Sequence, residues 1–422
     1  MNSYVDYRAP REHGRSLVQP SLHDAPRLLH ANKELFRRVP AWLASLRVIA
    51  RSQLIDAAVR YTRSYREIGE LNPESPLLVA GHQPTLFHPG VWFKNVILDH
   101  LAKRTTATAI NLIVDGDLTG PRSIQVPTYG DPPAGEKSTR LHRETVALDR
   151  GGSAVPFEQA TIEDFDFFLT FGDRVQASLG NLIPNPSIHP LWQAAQDAFQ
   201  RHNNLGLVLA QARHRLEAEM GMETLEVPQS TVCETDAFIQ FALQILIDLP
   251  RFRECYNCET ETYRVSHGIR SLAHPVPNLR EEGGWHEAPF WIYGDHLPNR
   301  RGLWTRRVAE GLELTDRNQI RLVIPATLEA GAEALRHYFS SEFKLRGRAL
   351  ITTMFARLVI SDLFIHGIGG GKYDQLGDQI SRAFWSLGEM PEFLVSSATV
   401  KLPGHEAFDE LQIERQLRAA RK

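Results

Sequence analysis

His82, Gln83, His88 and Lys94 fall close together around the stretch Gly81-His82-Gln83-Pro84-Thr85-Leu86-Phe87-His88-Pro89-Gly90. That grouping suits recognition of a phosphoryl group. Imidazole N–H groups can donate to phosphoryl oxygens as charge builds in a transition state. Gly81 and Gly90 permit close approach of backbone to ligand. Pro89 suits the first turn of a helix, where its missing N–H costs nothing, and free N–H groups at a helix start can hold a phosphate. A second candidate is Asp115-Gly116-Asp117, whose carboxylates could hold an amine, a ribose or a magnesium ion that keeps most of its waters. The third is Gly367-Ile368-Gly369-Gly370-Gly371-Lys372-Tyr373, a glycine-rich turn whose N–H groups, with Lys372, could cradle phosphate. It is neither a Walker A loop, since Tyr373 stands where Ser or Thr must be, nor a dinucleotide fingerprint, since Lys372 occupies the sixth position. The plainer alternatives are a proline-rich turn with capping histidines, an acidic turn and a tight strand-to-helix connection.

The elements that must position these residues follow from hydrophobic patterning. Residues 76–80 and 109–114 are short, continuous apolar runs, as expected of strands buried on both faces in a parallel sheet. Residues 91–104 carry Phe93, Val96, Ile97 and Leu101 at helical spacing. Strand, loop, helix and strand make a βαβ unit, with the first two candidate motifs at the strand ends where open parallel sheets place their ligands. Helices are expected at 25–38, 41–69, 207–220 and 236–249, the last continuing into a charged helix from 251. Strands are expected at 224–227, 289–293, 320–324 and 393–402, with apolar segments at 349–360 and 363–368 and a helix after Lys372.

Composition narrows the class. The chain has 422 residues, 42% hydrophobic and 23% charged, with a net charge of −3, so no nucleic-acid footprint is expected and a small-molecule substrate is. Only three cysteines and no apolar leader or membrane span suggest a cytoplasmic protein in a reducing compartment. Cys255 and Cys258 form a single CxxC without a second pair, so no structural zinc is expected. No Gly-x-Ser-x-Gly elbow supports serine-hydrolase chemistry. Oligomeric state is not legible.

His88-Pro89-Gly90-Val91 resembles a HIGH signature whose last histidine is valine, with His82 available as a substitute. The run from Leu77 to Phe87 before a helix resembles the opening motif of the bacillithiol-biosynthesis cysteine-adding enzymes, in which a buried strand runs into Thr-Gly-Gln-Gln-x-Gly-Leu. Asp115-Gly116-Asp117 matches part of their acidic motif. Arg348-Ala349-Leu350-Ile351 through Asp362, Gly369, Gly370, Gly371 and Tyr373 resembles their late Arg-Pro-Leu, Gly-Gly-Pro-Gly-Glu and Tyr segment. The likeness covers about residues 72–390. It departs at His82, where the family has its second Gln, at Lys372, and in lacking long coiled-coil helices. A fainter likeness, in Gln83-Pro84 and Pro89-Gly90, is to WbqC-like sugar-modification proteins. The resemblance implies a Rossmann-like α/β fold of the HIGH-type nucleotide-binding class, with an N-terminal arm and helices at 1–71, a catalytic domain at 72–422 and a helical insertion at about 236–268. It implies a ligase that uses ATP or another nucleotide, with or without Mg2+, to join an amino-acid-like carboxylate to the amine of an amino acid or amino sugar. His82, His88, Asp115 and Asp117 would be catalytic; Gly81, Gln83, Gly90, Lys94, Gly369, Gly370, Gly371, Lys372 and Tyr373 would bind the nucleotide. The alternatives are a transferase acting on a nucleotide-linked sugar and a nucleotide-binding module without catalysis.

Overall fold

The computed structural model describes residues 4–86, 88–130 and 140–403. In chain order, β1 (Ser16–Gln19) precedes α1 (Ala25–Phe36) and α2 (Ala41–Arg63). Then come β2 (Leu77–His82), α3 (Pro89–Thr105), β3 (Thr108–Ile113), β4 (Ser123–Gly130) and β5 (Arg140–Ala147). Helices α4 (Phe165–Leu169), α5 (Phe171–Leu179), α6 (Ile188–Phe199) and α7 (Leu205–Glu219) lead to β6 (Leu225–Pro228). Next are α8 (Gln229–Cys233), α9 (Asp236–Leu246) and α10 (Leu249–Ser266), then the strands β7 (Glu281–Glu282), β8 (Trp285–Gly294), β9 (Leu297–Val308), β10 (Gly311–Thr315) and β11 (Arg321–Ile324). The chain continues through α11 (Leu328–Tyr338), β12 (Lys344–Gly347), α12 (Ala349–Phe355), β13 (Leu363–His366), α13 (Ile368–Trp385) and β14 (Phe393–Ala398).

The fold is mixed α/β. Its central sheet runs β1-β14-β13-β2-β3-β6, parallel throughout except for β1 at the edge. Counted along the chain, the parallel strands lie in the order 3-2-1-4-5, which reverses between β2 and β13. The expected βαβ unit is present: β2 and β3 are parallel neighbours from Leu77 opposite Thr108 to His82 opposite Ile113, and α3 packs across them. The continuous apolar run of β2 has a simple cause. Leu77 and Val79 enter one core with Leu43, Leu46 and Leu54 of α2; Leu78 and Ala80 enter the opposite core with Ile97, Leu98 and Leu101 of α3. Each fully buried Leu or Val side chain contributes about 1.5–3 kcal/mol, so a polar residue at either parity would be costly.

A second, antiparallel sheet runs β11-β10-β9-β8-β12, with β7 beside β8. Phe290, Ile292, Leu303, Leu314 and Leu345 join its inner face to the core shared with α9 and α12. The β4–β5 pair packs on α5 and forms a separate apolar cluster around Val126, Val146, Phe168, Phe171 and Trp192.

Several expectations need correction. Residue 71 is not a packing boundary: β1 pairs with β14, and α1 and α2 supply both central cores. The helices expected at about 236–268 are α9 and α10, yet Phe238, Phe241 and Phe252 are fully buried, so they belong to the core. The last helix begins at Ile368, before Lys372, so the glycine cluster is helical. Glycine costs a helix about 1 kcal/mol per residue relative to alanine, and at Gly370 and Gly371 close packing against His366 and Val395 overrides that preference. Among the described residues, no helix is long and apolar enough to cross a membrane.

Candidate functional site

A cavity of about 440 Å³ opens at the carboxyl ends of β2, β13 and β14, where the strand order reverses. Open parallel sheets form their ligand crevices at such a point. Gly81, His82, Gln83, His88, Gly90, Lys94, Asp117, Gly369, Gly370 and Tyr373 all line it. Asp115, Gly371 and Lys372 do not.

Lys94 dominates the electrostatics. It projects from α3 into the protein with 2% of its surface exposed, and Nζ donates to the Gly81 carbonyl. No carboxylate among the described residues forms an ion pair with it; burial, reinforced by the charge of Arg213, pushes its pKa down to about 7. Burial and the neighbouring Lys94 push His82 down to about 4, so this imidazole is neutral at neutral pH.

His88 is the N-cap of α3: its Nδ1 accepts from the Gly90 N–H at 3.0 Å, so the ring proton sits on Nε2. Its carbonyl accepts from Val91 at 2.9 Å and Trp92 at 3.1 Å. Since Pro89 has no N–H, the start of α3 has no spare backbone donor for a phosphate, contrary to expectation. Gly90 is needed for packing, because a Cβ there would lie 2.7 Å from the Ala398 carbonyl. We expect His88→Ala to cost about 1 kcal/mol through loss of the cap, while His88→Asn, which can cap, melts near the parent. Melting curves check this, and turnover in a stable His88→Asn protein would assign the residue to capping alone.

The open donors lie at α13 instead. Its N-cap, Gly367, supplies no side-chain bond, and the N–H groups of Ile368, Gly369 and Gly370 precede the first intrahelical bond, Gly371 N–H to Gly367 carbonyl at 2.9 Å. The glycines divide the work. Nothing lies within 4 Å of a Cβ built at Gly367 or Gly369, whereas Gly370 and Gly371 sit against His366 and Val395. Helical geometry also removes Lys372 from the site. Gly369, Gly370 and Tyr373 share one face at i, i+3 and i+4 spacing, and Lys372 turns off it to meet Asp6 at 3.0 Å.

The acidic motif splits. Asp115 is buried, accepting from Ser230 N–H at 2.8 Å and Ser230 Oγ at 2.5 Å, and so fixes the start of α8. Asp117 reaches the cavity, but its oxygens accept from Gln83 Nε2 at 2.8 Å and Arg300 Nη1 at 2.7 Å. Arg300 also bonds the Gly116 carbonyl at 2.9 Å and stacks 4.5 Å from the Trp291 ring. With both carboxylates so engaged, the motif does not fit a magnesium ion held between them. No group of three or more His, Cys, Asp or Glu side chains among the described residues could hold a metal. Cys255 and Cys258 lie one turn apart on α10, half-buried and exposed, as free thiols.

The cavity also holds residues that motif reading overlooked. His366 ends β13, Thr353 projects from α12, and Ser396, on β14, is buried with an Oγ that has no hydrogen-bond partner. A histidine closing the apolar run Leu363-Phe364-Ile365 just before Gly367 was the available signal for the first. Nothing local announced Arg300. No protein-family model matches the chain, and no curated protein matches it.

Proposed function

We propose that this chain is a nucleotide-dependent enzyme of small molecules, with a Rossmann-like sheet of the HIGH type. In this reading it uses ATP or another nucleotide to join an amino-acid-like carboxylate to the amine of an amino acid or amino sugar. One observation carries the anionic-ligand part: a buried lysine that forms no ion pair with any carboxylate among the described residues faces a cavity at the switch point of a parallel sheet. Burying an unpaired ammonium costs several kcal/mol, and an anionic ligand offsets that cost. The uncapped start of α13 adds backbone donors and the positive end of a helix dipole. Lys94 and the 368–370 N–H groups would hold phosphate, His82 and His88 Nε2 would donate to its oxygens, and the Asp117–Arg300 pair would border the acceptor. The ligase chemistry rests on the likeness over residues 72–390.

Calorimetry and thermal shift with ATP, ADP, inorganic pyrophosphate and a sugar nucleotide test this reading. ATP should bind, and binding should weaken as salt is raised. Because a bound anion favours the ammonium, binding at about pH 8 should take up a proton, visible as a dependence of heat on the buffer's ionisation enthalpy. Absence of binding by every phosphate-bearing compound would defeat the proposal. Preference for the sugar nucleotide would point to the transferase, and binding without turnover to a non-catalytic module.

A further inference from the structure

We propose that His366, oriented by Asp374, accepts the proton of the amine that attacks in this site. The inference rests on the ligase reading above and names its base. His366 closes β13 on the cavity wall, and its Nε2 lies 3.0 Å from Asp374 Oδ2. Asp374 is itself fixed by Thr353 Oγ1 at 2.6 Å and Arg357 Nη1 at 2.6 Å. Burial raises this carboxyl's pKa, but Arg357 and His366 outweigh it and hold the group well below the usual carboxylate range. An ionised Asp374 can only accept, so Nε2 carries the proton and Nδ1 presents a lone pair.

Among the described residues no hydrogen bond is made to Nδ1. The residue in front of it is Gly370, where a Cβ would lie 2.7 Å from Nδ1, so the glycine keeps that approach clear. A carboxylate that fixes the tautomer and stabilises the imidazolium formed on proton transfer is the arrangement of a general base. The opposing charges are Lys94 from α3 and Arg357 from the turn after α12. His366 and Gly370 both line the cavity, so Nδ1 lies at its wall.

In the step itself, the amine nitrogen bonds the acyl carbon of the nucleotide-activated carboxylate. The acyl carbon–oxygen bond to phosphate breaks, the nucleoside phosphate leaves with the electron pair, and the nitrogen's proton passes to His366 Nδ1.

The test uses the full chain with ATP, a mixture of amino acids and one of two amines, products being read by mass spectrometry. Either amine must lose a proton from nitrogen as the new bond forms; hydroxylamine, less basic and a far stronger nucleophile for its basicity, depends much less on a base to assist that loss. His366→Asn should slow glucosamine transfer by ~10²–10⁴-fold while hydroxamate formation stays within a few-fold of the parent. Gly370→Ala, which places a methyl against Nδ1, should show the same selective loss, and His366→Gln replaces His366→Asn if the latter melts early. Equal loss with both amines, or loss with neither, overturns the proposal and leaves the ligase reading standing. If the parent enzyme forms neither product, the ligase reading falls and takes the proposal with it.

Discussion

Lys94→Met is expected to yield a more stable protein that no longer binds nucleotide. The lysine's pKa falls from 10.5 to about 7 on folding, so the folded state holds this proton less tightly than the unfolded one. Below about pH 7 both states are protonated, and the full cost of burying the ammonium is present. As pH rises from about 7 toward 10.5 the native lysine becomes neutral while the unfolded one stays charged, and the cost fades. Methionine has nearly the same shape and no charge. At about pH 6 the variant should therefore be the more stable by roughly 2–4 kcal/mol, with the gain shrinking through the alkaline range. Loss of the bond to the Gly81 carbonyl offsets about 1 kcal/mol of it. Nucleotide affinity should fall ~10²-fold or more, since an anion loses a charge-assisted partner in a dry site. Urea melts across pH measure the first effect, and the ATP-dependent thermal shift the second. A variant that ATP still stabilises as it does the parent would remove Lys94 from the binding site. A variant less stable at every pH would mean that its ammonium is compensated in a way the geometry does not reveal.

Arg213→Met should act in the opposite direction and more severely. The Arg213 guanidinium meets Glu217 at 2.8 Å and also binds Glu226, all three side chains being almost wholly buried. Glu217 in turn accepts from Trp92 and Asn95 of α3, each at 2.8 Å, and Glu226 from Asn111 of β3 at 2.8 Å. One arginine thus joins α7 and β6 to the helix and strand that frame the cavity. Removing it strands two buried carboxylates, a loss of about 3–5 kcal/mol. Melting temperature should drop accordingly, and ATP binding should weaken because Asn95 adjoins Lys94. Replacing all three charged residues together by apolar ones of similar volume should recover much of the stability, since breaking a buried pair costs more than deleting it. A small loss in the single variant, under about 1 kcal/mol, would show that water reaches the network.

The two halves of the site differ in how far the sequence foretold them. β2, α3 and β3 were legible because each is set by its own side-chain pattern: a short apolar run with both parities buried, then apolar residues one helical turn apart. Their junctions placed Gly81, His82, Gln83, His88, Gly90, Lys94 and Asp117 at one cavity. The antiparallel sheet was visible only in fragments. The long β8–β9 hairpin mixes Arg and Trp with apolar residues, since Leu303 faces the core with Leu312 and Leu314 of β10 while Arg306 alternates to the other side, opposite Glu313. Arg306 pairs with Glu313 at 2.7 Å, and its neighbour Arg307 donates to the Ile247 carbonyl at 3.1 Å.

What the sequence determined by itself was therefore local: which segments are strands or helices, and which polar residues stand at their ends. Tertiary structure decided what each of those residues does, because a side chain's role depends on partners that arrive from elsewhere in the chain. Asp117 is neutralised by Arg300, 183 residues away, and Asp115 is claimed by Ser230, 115 residues away. The glycine cluster reads locally as a turn; as the first turn of a helix packed on β13 and β14, it aims open N–H groups at the cavity and sends Lys372 to Asp6. Lys94 is the sharpest case. Nothing in residues 89–105 by themselves shows that it is buried; its meaning lies in burial without an ion-pairing carboxylate among the described residues, which follows only from where the other elements come to rest.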